Sequence, residues 1–184
     1  MKARSFIAGL VGVIGLSGLA FGAQGPSSCT FPGANQDCLD PRGRFVIEWR
    51  EPIGGGRHEL WLSIVSGEQR RKLLEFDRSV DLLWSPDGQS LAITDRLGSS
   101  DSVLRVLNGM MLKRAVNMED RFLADMGRLP EIFNNGHRYF EAVDWIGRDV
   151  LSFRVRAYDS DPDKEYLGTF RYELGGRVSR EPNQ

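Results

Sequence analysis

Val80, Leu82 and Trp84 alternate on one face, and Leu91 and Ile93 alternate again after Ser85-Pro86-Asp87-Gly88. Alternation of period two over such short runs marks half-buried strands. Pro86 presets the first turn position, and Asp87-Gly88 supplies the tight reversal. The pattern predicts a hairpin with one buried side, a polar loop from Asp95 to Ser102, and a third strand from Val103 to Gly109. An earlier copy follows with a shift of 45 residues: Asp40-Pro41-Arg42-Gly43-Arg44 stands where Ser85 to Gln89 does, and Phe45, Ile47 and Trp49 alternate after it. Its next strand, Leu60 to Gly67, matches Val103 to Gly109 with a shift of 42, and Arg71 to Phe76 makes a fourth element. A later copy puts Trp145 in the place of Trp84, and Leu151 and Phe153 in those of Leu91 and Ile93, with a third strand ending at Leu174-Gly175-Gly176. Self-similarity at this period points to stacked repeats. One stretch breaks the pattern. Met118, Phe122, Met126 and Leu129 fall at helical spacing between a capping Asn117 and a terminating Pro130. They predict a short helix inserted between the second and third sheets, packing against an otherwise open side.

Composition sharpens this. The 184 residues are 41% hydrophobic and 27% charged, with 24 Lys and Arg against 25 Asp and Glu. A disordered tail, a collagen, a polytopic membrane protein and a strongly basic nucleic-acid binder are excluded on these figures. Twenty-one glycines and eight prolines favour many turns between short strands.

The run Trp84-Ser-Pro-Asp-Gly-Gln-Ser-Leu-Ala-Ile93 resembles the WD40-like repeat of TolB-type β-propellers, and is similar to propeller domains that accompany prolyl-oligopeptidase-type hydrolases. The central copy matches the family pattern, with Ile93 where an aromatic is usual. The first copy keeps Pro41 and Gly43, and the third keeps Trp145 without the Pro-Asp-Gly turn. The resemblance implies architecture and no activity. The expected fold is mostly β: an incomplete propeller-like stack of about three small antiparallel sheets with one inserted helix, the alternative being a compact four-bladed propeller.

Lys2 and Arg4 precede an uncharged run from Phe6 to Phe21, with small residues suited to cleavage after Ala20 or Gly22. Residues 1–23 read as a secretory signal peptide, since an uncleaved anchor needs about 20 apolar residues and the run is shorter and glycine-rich. Residues 24–39 form an N-terminal loop closed by a Cys29–Cys38 disulfide, and residues 40–184 a single repeat domain. An isolated cysteine pair in an exported Pro/Gly/Asn segment is most simply a disulfide, and its spacing lacks the C-x-x-C of redox and zinc sites. The expected location is periplasmic or secreted. Loss of Lys2 and Arg4 leaves 22 basic against 25 acidic residues, a net charge of −3, which argues against nucleic acid.

Stacking would bring three equivalent loops to one edge: Glu51 to His58, Asp95 to Ser102, and Asp159 to Glu165. Rigid sheets presenting loops make that edge the expected contact surface. Its candidate contact residues are Arg57, His58, Asp95, Arg96, Asp159, Asp161 and Asp163, joined by Trp61, which alternates against Leu60, Leu62 and Ile64 and points outward. Asp159, Asp161 and Asp163 could surround calcium, but Asp and Pro as turn formers explain the same residues; no metal or cofactor is expected. His58 and His137 sit beside glycine-rich turns without a Cys, His or acid at ligand or triad spacing, and read as exposed loop residues. The remaining tryptophans fall in strand patterns as core. Arg70-Arg71-Lys72 reads as a charged edge strand. The expected function is a non-enzymatic binding or scaffolding module for a protein or envelope component, with self-association through open sheet edges as a further route. The alternative is a small cell-envelope hydrolase using loop carboxylates.

Overall fold

A computed structural model describes residues 27–52, 54–127, 131–134, 136–159 and 164–182. The expected leader, and Leu129, Pro130, Asp161 and Asp163, lie outside the described residues. The chain is mostly β. Its strands are β1 (Ser28–Phe31), β2 (Asp37–Leu39), β3 (Phe45–Arg50), β4 (His58–Ile64), β5 (Arg70–Phe76), β6 (Ser79–Trp84), β7 (Ser90–Arg96), β8 (Asp101–Asn108), β9 (Arg114–Asn117), β10 (His137–Ile146), β11 (Val150–Tyr158), β12 (Glu165–Glu173) and β13 (Val178–Arg180), with one helix, α1 (Met118–Met126), between β9 and β10.

The strands group into three antiparallel meanders of four: β2 to β5, β6 to β9, and β10 to β13. Three meanders, not four, are present among the described residues. Their number matches the three repeats. Two parallel pairs, Arg138 with Asp101 and Tyr139 with Ser102, join the second and third meanders, so hydrogen bonding yields a nine-stranded and a four-stranded sheet.

The turn chemistry explains why the copies fold alike. In the first meander Gly43 N–H donates to Asp40 O and Asp40 N–H to Phe45 O; in the second Gly88 N–H donates to Ser85 O and Ser85 N–H to Ser90 O. Gly43 and Gly88 take φ of 65° and 63°, a left-handed conformation that favours glycine. Side chains repeat the device: the Asp40 carboxylate accepts from the N–H groups of Arg44 and Phe45, and Ser85 Oγ accepts from Ser90 N–H. In the third meander the turn is a residue shorter, yet Trp145 pairs with Leu151 as Trp84 pairs with Leu91.

The second meander is the middle layer. Val80, Leu82, Trp84, Leu91 and Ile93 pack with Ile47, Leu60, Leu62 and Phe76 of the first. Its opposite face, through Ala92, Leu104 and Val106, packs with Phe153, Val155, Phe170 and Tyr172 of the third. Each layer buries the apolar side that alternation assigns to it. The helix is a wedge in the second seam: Met118 and Phe122 are buried, and the Phe122 ring meets Phe140 and Phe170 edge-on at 5.8 and 4.8 Å. Asn117 caps it by accepting from Glu119 N–H, and Gly127 ends it in the left-handed region. Met126, expected inward, is exposed: eight positions after Met118, its side chain has turned about 80° from that residue's direction around the helix.

Residues 27–39 are more than a closed loop. β1 adds to the free edge of β6 in the middle layer, while β2 is the edge strand of the first. The Cys29–Cys38 disulfide therefore ties two layers together. No helix among the described residues is long and apolar enough to cross a membrane.

Candidate functional site

The strand ends that flank the three loops between second and third strands meet at one edge of the stack. The first, ending at Arg57, is held to the β5–β6 turn by Arg57 Nε donating to Asp77 at 2.8 Å. That turn leads into Ser79, which pairs with Arg96 at the entrance to the second loop. The second loop meets the third layer through Arg138 N–H donating to Ser100 O at 2.9 Å, and His137, next to Arg138, pairs with Tyr158 at the mouth of the third loop.

The expected contact residues divide. Arg57 is exposed on this edge. Arg96, half-buried at the end of β7, is held by Asp81 and Glu141 at 2.8 Å each. Asp159 borders a hollow of about 210 Å³ lined by Glu131, Ile132, Asp159 and Lys164. Asp95 is placed differently: it belongs to β7, its side chain is 2% exposed, and Arg105 donates to Oδ2 at 2.9 Å. Alternation with Leu91 and Ile93 carries it inward, so it stands behind the loop edge. Both histidines also depart from the exposed-loop expectation. His58 opens β4, half-buried between Trp49 at 5.4 Å and Phe76 at 5.1 Å. Register with a buried partner strand overrides the glycine-rich sequence before it.

Trp61 does face outward, on the open side of the first layer. Arg50 and Arg70 lie over its ring at 5.9 and 5.7 Å, and its indole N–H donates to Glu59 at 2.9 Å. Lys72 and then Trp61 hold the Glu59 carboxyl below its ordinary range. This side chain is dressed by its own neighbours. Arg70 and Lys72 lie on β5, an edge strand of the four-stranded sheet as its charges suggested.

Sequence reasoning missed an aromatic group between the second and third loops. His137 stacks on Tyr158 at 4.7 Å and lies parallel to Tyr139 at 6.4 Å; Tyr139 and Tyr158 are 5.9 Å apart. The Arg156 guanidinium lies over Tyr158 at 4.7 Å. Burial, then the Tyr158 hydroxyl, pushes the Tyr139 phenol up to about 12, so its proton stays in place at neutral pH. That single proton goes to Ser99 O at 2.6 Å, an atom that can only accept. Tyr158 Oη lies 3.2 Å and His137 Nδ1 3.4 Å from the Tyr139 oxygen. Alternation of His137 with Tyr139 and of Arg156 with Tyr158 was visible in the sequence; the cross-strand register that joins the pairs was not.

Among the described residues no group of three or more His, Cys, Asp or Glu side chains is arranged to hold a metal ion. Comparison with known proteins yields no matching family model, no matching curated protein and no matching solved structure.

Proposed function

We propose that the chain is an exported, non-enzymatic binding or scaffolding module that presents its loop edge to a protein or envelope component. The carrying observation is the convergence of three loops, from three stacked layers, on one edge. The tight turns at the opposite edge are consumed by their own hydrogen bonds. Ion pairs brace this edge: Arg57 with Asp77 at 2.8 Å and Arg138 with Asp101 at 3.2 Å. A disulfide and a leader-like N-terminus support export. The matched turns of the first two meanders support the reading as a WD40-like repeat protein.

Crosslinking and pulldown from the native envelope test it. The chain, and a Glu68→Arg control on the opposite edge, should capture the same partner; Arg57→Glu combined with Ser99→Trp should lose it with thermal stability little changed. Equal capture by all three would remove the loop edge from consideration. Turnover of a glycan or peptide, abolished by a single carboxylate change, would establish the hydrolase alternative instead.

A further inference from the structure

The strands β1, β2, β9 and β13 each leave an edge unpaired, and each has three or four residues; β5 has seven, with β4 on one side and no described strand on the other. A free row of N–H and C=O groups of that length is a template for another strand. The side chains of β5 divide between two faces, and a bulge moves the division. Register runs Leu62 with Arg71, Trp61 with Lys72, then Leu60 with Leu74, passing over Leu73. Before the bulge Arg70 and Lys72 face outward beside Glu48 and Trp61, and Arg71 points into the seam to Met111 O and Leu112 O. After it Leu74 packs, like Leu73, against the first core, Phe76 is buried, and Glu75 turns outward to Lys72. The segment therefore opens basic, closes acidic at Glu75 and Asp77, and carries two leucines between.

We propose that β5 is the contact strand of a dimer, pairing antiparallel with β5 of a second copy about a two-fold axis between Leu73 and Leu74. In this register Lys72 faces Glu75 of the partner copy and Arg70 faces its Asp77, each twice by symmetry, while Leu73 meets Leu74 and Arg71 meets Phe76 on the inner face. The bulge and the charges together select it. A slide of one residue would set outward Lys72 against inward Leu74 or Phe76. A slide of two would oppose Glu68 to Asp77, or Arg71 to Arg78. The charges that turn away a mismatched strand thus accept this one. Arg70, Lys72, Glu75 and Asp77 each keep at least 38% of the side chain exposed beside their present ion pairs, which leaves room for the partner's charges to join them. Each β5 ends at its own loop edge, so the axis sends the two loop edges in opposite directions. The dimer does not depend on the loop edge binding a partner.

Sedimentation velocity of the full chain from micromolar to millimolar concentration tests this, with hydrogen exchange measured at both ends of the series. The chain should pass from monomer to dimer, and exchange should slow with concentration in residues 70–77. Glu75→Lys brings like charges together at both symmetric pairs and should weaken the dimer about tenfold. Adding Lys72→Glu restores opposite charges in the same register and should recover it. Arg154→Glu, exposed on β11 of the third layer, should leave it unchanged. Asp77→Lys, outside β5, makes the same reversal against Arg70 and carries the test if Glu75→Lys does not fold. A chain that stays monomeric at millimolar concentration overturns the proposal, as does slowed exchange confined to another strand. A dimer left intact by the charge reversals, or a folded swapped variant that fails to recover it, excludes this register and overturns the proposal equally.

Discussion

The two seams of the stack are built on opposite principles. Between the second and third layers, polar groups are satisfied across the seam. Trp145 Nε1 donates to Leu83 O at 3.0 Å, Ser102 Oγ exchanges bonds with both backbone groups of Phe140, and Thr94 Oγ1 accepts from Ala142 N–H. Among the described residues, four buried side-chain atoms have no partner: Trp49 Nε1, His58 Nδ1, Trp84 Nε1 and Asp95 Oδ1. All four belong to residues facing the seam between the first and second layers. Trp84 and Trp145 occupy equivalent places in their repeats, yet only Trp145 finds an acceptor. Each orphaned group costs about 1–3 kcal/mol. The first seam offsets this with staples: the disulfide, Arg44 Nη2 donating to Asp87 O at 2.8 Å, and Arg71 Nη1 donating to Met111 O and Leu112 O at 2.8 and 2.6 Å. The second seam is a continuous interface; the first is a stapled one.

Cutting the staples should separate the layers in order. Replacing Cys29 and Cys38 with serine removes a cross-link closing a short loop and should cost about 2–3 kcal/mol in chemical denaturation. Hydrogen exchange should accelerate in β2 to β5 well before β10 to β13. Equal acceleration in both would break the comparison. Arg71→Ala comes next. Its guanidinium holds two carbonyls in a buried segment where Met111 and Leu112 take φ of 56° and 52°, a conformation bulky residues avoid. Losing charge-assisted bonds to both should cost about 1.5–3 kcal/mol, with faster exchange at residues 109–113.

A smaller effect compares the two tryptophans directly. Trp84→Phe deletes an indole but also an unsatisfied donor, whereas Trp145→Phe deletes a satisfied donor and its bond to Leu83 O. The second change should cost more by about 1–2 kcal/mol in matched melts. A larger loss at Trp84 would mean that its indole volume outweighs its orphaned N–H.

These contrasts show which parts of the fold were legible in the sequence. Turns are local: Pro86-Asp87-Gly88 and Pro41-Arg42-Gly43 carry their chemistry within five residues, so the repeat order, the Trp145–Leu151 pairing and the Asn117 cap could all be read. Seam chemistry is not local. Whether Trp84 or Trp145 meets a carbonyl depends on how β10 crosses β6, and that in turn depends on two parallel pairs between β8 and β10 that no periodicity announces. The candidate site divides the same way. Arg57 follows from its loop, while the burial of Asp95 and the meeting of His137, Tyr139 and Tyr158 require cross-strand register.

The last prediction concerns acid, and sharpens the contrast because the disulfide staple does not titrate. In the second seam Asp125, on α1, accepts from Arg121 Nε and from Val178 N–H on β13, each at 2.7 Å. Arg121, first, and then the Val178 N–H hold its carboxyl below the ordinary 3.8, against an opposing push from burial. A carboxyl whose folded value lies below its unfolded value contributes stability above the unfolded value, and that contribution fades as pH falls through the folded one. Wild-type stability should therefore exceed that of Asp125→Asn at neutral pH, with the difference shrinking below about pH 4 as the wild-type carboxyl is protonated. The Val178 amide proton shift should titrate with a midpoint below 3.8 in the wild type and stay flat in Asp125→Asn. A flat wild-type shift would show that the carboxylate does not hold the helix to β13. The wedge in the second seam would then depend on the apolar packing of Met118 and Phe122 alone.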